Sequence, residues 1–434
     1  MSSVASDAPS GTAPLHVRTV EIDDVGALLA LLPTDDPATT MSWVRRGEGI
    51  VGWGEALVRR TSGPARMIDA DAWWTRTAAA MHVADDVRLP GTGPVAFGSF
   101  AFSRASRAGG VLVVPRVVVG RRGGRSWLTV ATPPGEAPVT TLAEAVGTGT
   151  PVRPPGDVTF TDGALAVGDW QDAVRAVVAT IRSGEVQKVV MARDVLARTS
   201  ADVDIRYLLR NLAAEYPGCW TFSVDHLVGA TPELLVRRDH GLVACRVLAG
   251  TIQRSGDDDA DLRHAATLAR SSKDLEEHEY AVASVAEALG PYCSSFNVPE
   301  SPFVLHLPNV MHLASDVTGV VDRSDGGPGP TSLALAAALH PTAAVCGTPT
   351  ARAAAVIAEV EQMDRRRYAA PVGWMGADGD GEWGIALRSG EVGAEGPRSV
   401  RLYAGCGVVA ASDPAAEVAE SEAKLRPMRS ALTS

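Results

Sequence analysis

Short apolar runs punctuated by glycine open the chain, and a texture of alternating helical and strand periods replaces them near its middle. Residues 49–60 (GIVGWGEALVRR), 93–104 (GPVAFGSFAFSR) and 111–120 (VLVVPRVVVG, followed by GRSWLTVAT) concentrate β-branched and aromatic residues in strand-length stretches. Such runs, bounded by turn residues, predict an antiparallel sheet. Residues 133–157 are rich in proline, glycine and threonine and read as a linker or long surface loop. Beyond them, Val174, Val177, Val178 and Ile181 share one face of a helix that Asp169 can cap and Gly184 can stop. A strand over 186–192 follows, and alternation along it puts Lys188 on the same face as Val186 and Val190. Residues 218–239 read as a hairpin or two paired strands, 242–251 as a strand ending at a small-residue turn, and 259–289 as one long helix. The pattern predicts an α/β fold with a disordered leader over 1–14, a β-rich half over 15–165 that includes the 133–157 stretch, and a mixed half over 166–434.

Composition narrows the function more than the fold. The 434 residues are 46% apolar and 21% charged, enough for one large core or two to three domains. A net charge of −11 argues against a general nucleic-acid binder and leaves room for a local cationic pocket. No apolar stretch approaches the ~18–20 residues of a membrane helix, and the N-terminus has no basic segment leading into an apolar run, so a soluble, cytoplasmic protein is expected. Cys219, Cys245, Cys293, Cys346 and Cys406 are odd in number and widely spaced, which fits reduced thiols. Lysine occurs only at 188, 273 and 424, against 37 arginines. An ammonium can lose its proton when buried and a guanidinium cannot, so each retained lysine is a candidate for chemistry arginine could not perform.

Candidate chemistry clusters in a few stretches. SSKDLEEHEYAV places Asp274 and Glu277 on one helical face beside His278, and AAEVAESEAKL places Glu417, Glu420 and Lys424 on another. Two helices presenting carboxylate pairs to a shared cleft would suit Mg²⁺, although acidic residues at helical spacing are commonly a solvated face. In GATPELL, Glu233 is either a turn carboxylate or an acid held at a strand end. Gly405 and Gly407 can offer backbone N–H groups to an anion, and Arg388 can bind a carboxylate through two hydrogen bonds. These residues point to a Mg²⁺-dependent enzyme acting on a small carboxylate.

Taken in order, GEVQKVVMAR (184–193), GATPELL (229–235), LAGT (248–251), SSKDLEEH (271–278), HPTAAVCGTP (340–349), GWMGADGDGEWGIALRSG (373–390) and AGCGVVAASDPAAEVAESEAKL (404–425) resemble the chorismate-utilising enzymes. That family includes isochorismate, salicylate, anthranilate and aminodeoxychorismate synthases. The resemblance spans about 240 residues; the first 165 match loosely. It implies two large antiparallel sheets packed face to face with helices outside, the catalytic half being 166–434. It also implies that Glu277 and Glu420 bind Mg²⁺ with Asp274 and Glu417 behind them. Arg388 and the Gly407 amide would hold the enolpyruvyl carboxylate of chorismate, and Gly250, Thr251, His312, Ala344, Val345 and Lys424 would line the substrate pocket.

Within the family, Lys188 stands where water-using enzymes carry a lysine and anthranilate synthases usually a glutamine. Ala249 occupies the position of the nucleophilic lysine of aminodeoxychorismate synthases, and Ala344–Val345 resembles the isochorismate synthase pair. The implied activity is reversible conversion of chorismate to isochorismate, feeding menaquinone or siderophore synthesis. Lys188 would activate a water for attack at C2, and Glu233 would protonate the departing C4 hydroxyl. Those roles require the lysine pKa to fall and the glutamate pKa to rise. Salicylate synthase is the nearest alternative, followed by anthranilate synthase component I and a catalytically silent relative. No obligatory glutamine amidotransferase subunit is expected. Cys406 and Ile252 depart from the family's usual alanine and arginine.

Overall fold

The computed structural model describes residues 14–137, 139–324 and 326–434, with backbone alone for Lys273 and Glu277. The leader expected over 1–14 lies, but for Pro14, outside the described residues. Strand pairing is continuous. One arm runs from His82–Asp85 through His16–Ile22, Arg125–Thr132, Gly110–Arg122, Glu48–Thr61 and Thr40–Arg45. It continues through Trp220–Val224, Leu227–Thr231, Ser389–Val392 and Ser399–Val408 to Lys188–Thr199. A second arm leaves the same Gly110–Arg122 strand through Val95–Phe100. It passes through Pro371–Gly376, Gly381–Ile385, Leu234–Asp239 and Leu242–Gln253 to Val310–Val321. All these pairs are antiparallel except the first, between His16–Ile22 and His82–Asp85. The expected face-to-face sheets are therefore two arms of one sheet that forks at Gly110–Arg122.

The arms close on each other because each strand buries an apolar row that needs a partner. Met41, Trp43 and Phe222 of the first arm pack with Phe97, Leu234, Val372 and Trp374 of the second. Gly98 lies on the linking strand, where an added Cβ would fall 2.6 Å from Leu112 and 2.8 Å from Trp383, so the close approach excludes any side chain. One carboxylate fastens the layers. Glu382 accepts from the Trp43 indole at 2.8 Å and the Trp220 indole at 3.2 Å, and pairs with Arg122 at 3.1 Å.

Helices flank the arms, and none among the described residues is long and apolar enough to cross a membrane. The single helix expected over 259–289 is two, Asp258–Arg270 and Ser272–Leu289. Ser271 breaks it: at φ −68°, ψ 109° its backbone is extended, and its side chain accepts from Asp274 N as the new N-cap. Asp169 is not a cap. Ala166 is the N-cap of the helix Val167–Arg182, and Asp169 sits in its first turn, where an acidic charge favours the helix dipole. The strand predicted over 186–192 extends as Lys188–Thr199. Within 133–157, a short helix Leu142–Val146 carries a capping box and receives the Trp53 indole on Ala145 O at 3.1 Å.

Two chain segments pass from one arm to the other. Leu227–Thr231 belongs to the first arm and Leu234–Asp239 to the second, so Pro232–Glu233 is a crossing. Gly381–Ile385 belongs to the second arm and Ser389–Val392 to the first, so 386–388 is the other. The crossings are tied together: Ile385 N donates to Glu233 O at 3.2 Å, Ala230 N to Arg388 O at 3.2 Å, and the Thr231 hydroxyl to Ile385 O at 2.6 Å.

The Glu382 junction sets an expectation. Glu382→Ala leaves two buried indole N–H groups without an acceptor and should lower unfolding free energy by about 3 kcal/mol or more, given ~1–3 kcal/mol per orphaned buried group. Glu382→Gln, which keeps an acceptor oxygen, should lose less. Urea unfolding of the two variants checks the order, and equal losses would show that the indole bonds do not join the arms.

Candidate active site

A cavity of about 170 Å³ lies where the two crossings meet the outer strands of both arms. The first arm contributes Lys188, Val190 and Gly405–Gly407, and the crossings contribute Glu233 and Arg388. The second arm contributes 248–251 and His312, and two helices add Asp274, Glu417, Glu420 and Lys424. Ala344 and Val345 form a further wall. Every residue predicted for the site lines this cavity except Glu277. Its backbone lies in the helix Ser272–Leu289, and its side chain is outside the described residues. Lys188 also borders an outer cavity of about 450 Å³ with Tyr280, Ala343 and Ala410, so it stands between the inner space and the surface.

Local backbone features aim these side chains. Gly250 has φ +75° at a register shift between Ala249 and Thr251, and a Cβ there would sit 3.1 Å from the Asp274 Cβ. That bulge turns Thr251 toward His312, with Thr251 Oγ1 3.0 Å from Nδ1. Arg388 occupies the left-handed region at φ 49°, a strained conformation for a side chain of its size. The strand Gly347–Thr348 pairs with Lys188 and Val189, placing the 344–345 wall beside Lys188.

Burial sets the charge states. Glu233 is enclosed, and desolvation pushes its carboxyl up to about 8 against the pull of Arg388, Lys188 and Lys424. It therefore carries a proton at neutral pH. His312 is held well below its ordinary range, chiefly by burial and then by Arg388 and Lys424. Its Nε2 lies 3.5 Å from Arg388 Nη2; a guanidinium only donates, so the ring is neutral and accepts there. Arg388 is buried and makes no ion pair among the described residues, leaving a cation for an incoming anion. Lys424 is occupied, donating to Glu420 at 2.6 Å and Gly405 O at 2.9 Å.

The acidic corner fits a hard cation. Asp274, Glu417 and Glu420 line the cavity, and Glu417 Oε2 is buried without a hydrogen-bond partner among the described residues. Burial raises the Glu417 pKa, opposed by hydrogen bonds from Ser412 and Cys406. A second cluster, Asp239, His240 and Asp380, lies elsewhere. Both oxygens of Asp380 are engaged there, by Arg238 at 2.5 Å and the His240 amide at 2.7 Å.

The chain as a whole is similar to known proteins. The profile described as chorismate binding enzyme matches residues 8–433. The chain belongs to the chorismate-binding enzymes. It is similar to isochorismate synthase DhbC of Bacillus subtilis, 42% identical over 275 residues that cover 61% of this chain and 67% of that protein. Isochorismate synthase MenF of the same organism is 31% identical over 409 residues, 88% of this chain and 85% of its own. The crystal structure of Bacillus anthracis DhbC superposes with a TM-score of 0.75 at 31% identity, covering 93% of this chain and 99% of that one.

Two polar cavity residues escaped the sequence reading. Tyr368 is buried, its ring stacked on Tyr403 with centroids 5.3 Å apart, and desolvation pushes its hydroxyl up to about 12. Arg365 opens a run of three arginines over 365–367. Arg365 is buried in an ion pair with Glu361, and Arg367 in ion pairs with Asp225 and Glu391. The carboxylates that pair with them lie outside the run's own residues. The odd feature that could have drawn attention was three adjacent cations just before an apolar strand.

Glu233 makes stability depend on pH with a definite sign. Its folded pKa, about 8, is above the ordinary 4.5, so between those values the unfolded chain has lost a proton that the folded chain keeps. Stability from this group is full at acid pH and declines as pH rises toward 8, by about 1.4 kcal/mol per unit. Glu233→Gln should therefore gain on the wild type progressively from about pH 5 to 8 in urea unfolding. Parallel curves would contradict the assigned protonation.

Proposed function

We propose that the protein is an isochorismate synthase acting on chorismate. The observation that carries this reading is the cavity itself: Lys188 on one arm and a protonated Glu233 on the crossing face the same enclosed space. The two named relatives are isochorismate synthases, which supports the same activity.

In this reading Arg388 and the Gly407 N–H hold the enolpyruvyl carboxylate, which supplies the negative charge that the buried guanidinium lacks. Ala344 and Val345 press on the ring, with Gly250, Thr251 and His312 on the facing wall. Neutral His312 accepts from Arg388 and so fixes the plane of the guanidinium rather than competing for the anion. Glu277 and Glu420 would hold Mg²⁺, with Asp274 and Glu417 behind them, and the ion when bound neutralises and orients the ring carboxylate. Lys188 takes a proton from water as the water oxygen bonds to C2. The ring double bonds shift, the C4–O bond breaks, and the Glu233 proton leaves with the hydroxyl as water. The reverse reaction uses the same two groups with their proton states exchanged.

Incubation of the purified protein with chorismate and Mg²⁺ should yield isochorismate, resolved by chromatography, and EDTA should stop turnover until Mg²⁺ is restored. Lys188→Ala and Glu233→Gln should each lower kcat by about 100-fold or more, the usual scale of a general acid or base. The wild-type kcat in the forward direction should fall as pH rises through about 8, where Glu233 loses its proton. Wild-type turnover in Lys188→Ala would remove the base assignment. Salicylate accumulating without an added lyase would replace isochorismate synthase by salicylate synthase.

A further inference from the structure

The two arginines lining the cavity are not equivalent. Arg388 makes no ion pair among the described residues, whereas Arg365 has four of its five N–H groups engaged. Arg365 Nε donates to Glu361 Oε2 at 2.8 Å, Nη1 to Val345 O at 3.0 Å and Nη2 to Val190 O at 2.5 Å, with Nη2 also paired to Glu361 Oε1. Glu361 accepts in addition from Ala192 N at 2.7 Å. Both side chains are almost wholly buried, at 2% and 1% exposure.

A buried ion pair of this kind is a poor source of stability, because desolvating both charges offsets most of their attraction. An apolar pair of similar volume would pack as well. What it could not do is bind three backbone groups on two separate segments. Val190 and Ala192 belong to the strand that begins at Lys188, and Val190 shares the Lys188 face. Val345 is half of the adjoining wall. Gln187 N and Val190 N already donate to Thr348 O and Cys346 O, at 2.8 and 2.9 Å, so Lys188 sits in a short ladder whose inner end is closed by Arg365.

We propose that the Glu361–Arg365 pair is a positioning device for the water attack. The planar fork of Arg365 sets the separation of the Lys188 strand from the Ala344–Val345 wall, and so the line from the Lys188 nitrogen to the ring carbon that receives water. Glu361 neutralises the guanidinium, which leaves the substrate's carboxylate to Arg388. The inference rests on the reading of Lys188 as general base.

Arg365→Lys keeps the charge but has no planar fork with which to reach Glu361 and both carbonyls. In the full chain, with folding confirmed by circular dichroism and thermal melting, kcat for chorismate should fall at least about tenfold, since a misplacement near 1 Å can cost about 100-fold. KM should stay within about threefold, because no substrate-binding group is removed. In a Lys188→Ala background the same change should lower the residual rate little, as expected when one residue acts through another. Should Arg365→Lys fail to fold, Glu361→Gln, which keeps an acceptor for Ala192 N–H, carries the same readouts. A folded variant with wild-type kcat overturns the inference, as does a rise in KM at unchanged kcat or a full multiplicative loss in the Lys188→Ala background. Full activity of Lys188→Ala alone would instead overturn the base reading.

Discussion

Hydrogen bonds between the two crossings hold the whole arrangement in place. Glu233 O, Ile385 N, Ile385 O, the Thr231 hydroxyl, Ala230 N and Arg388 O form a small network where the chain passes twice between the arms. Backbone at such a point has left one ladder before joining the next, and its polar groups need partners because it is buried. Each crossing supplies them to the other. Their side chains are consequently aimed into the space between the arms, where water is scarce. A carboxyl and a guanidinium placed there cannot behave as they would on a surface.

Three solutions to the cost of a buried charge appear around one cavity. Glu233 gives up its charge, with a pKa raised to about 8. Arg365 is paired with Glu361 and spends its remaining donors on backbone carbonyls. The Arg388 guanidinium keeps its charge with only neutral His312 as a hydrogen-bond partner among the described residues. The first is suited to donate a proton, the second to hold walls apart, and the third to receive an anion. These differences come from the neighbours the fold places around each group, since isolated arginines are chemically identical.

Local signals in the sequence carried far into the structure. The short β runs, the helix of Val174, Val177, Val178 and Ile181, the stop near Gly184 and the face of Lys188 are consequences of period and cap chemistry, which neighbours in sequence decide. The order of the motifs, through its resemblance to a family, pointed to the cavity residues, because spacing alone left the acidic pairs indistinguishable from a solvated face. What was not legible is long-range. Nothing near Glu233 distinguishes a turn carboxylate from one at an arm crossing. The break at Ser271 was visible as a serine followed three residues later by Asp274, yet the apolar period ran through it. Arg367 has its partners at 225 and 391, so its burial could not be read locally, whereas Arg365 pairs with Glu361 only four residues before it.

The claim on which the functional account turns is that solvent supplies the new hydroxyl, activated from the Lys188 side while the old one leaves toward Glu233. Running the reaction in ¹⁸O-labelled water and locating the label by mass spectrometry tests this directly. The account predicts isochorismate with one labelled oxygen, at the C2 hydroxyl, at the earliest measurable conversion. Isochorismate formed with its original hydroxyl oxygen would mean migration within the substrate, and would contradict the roles given to both residues.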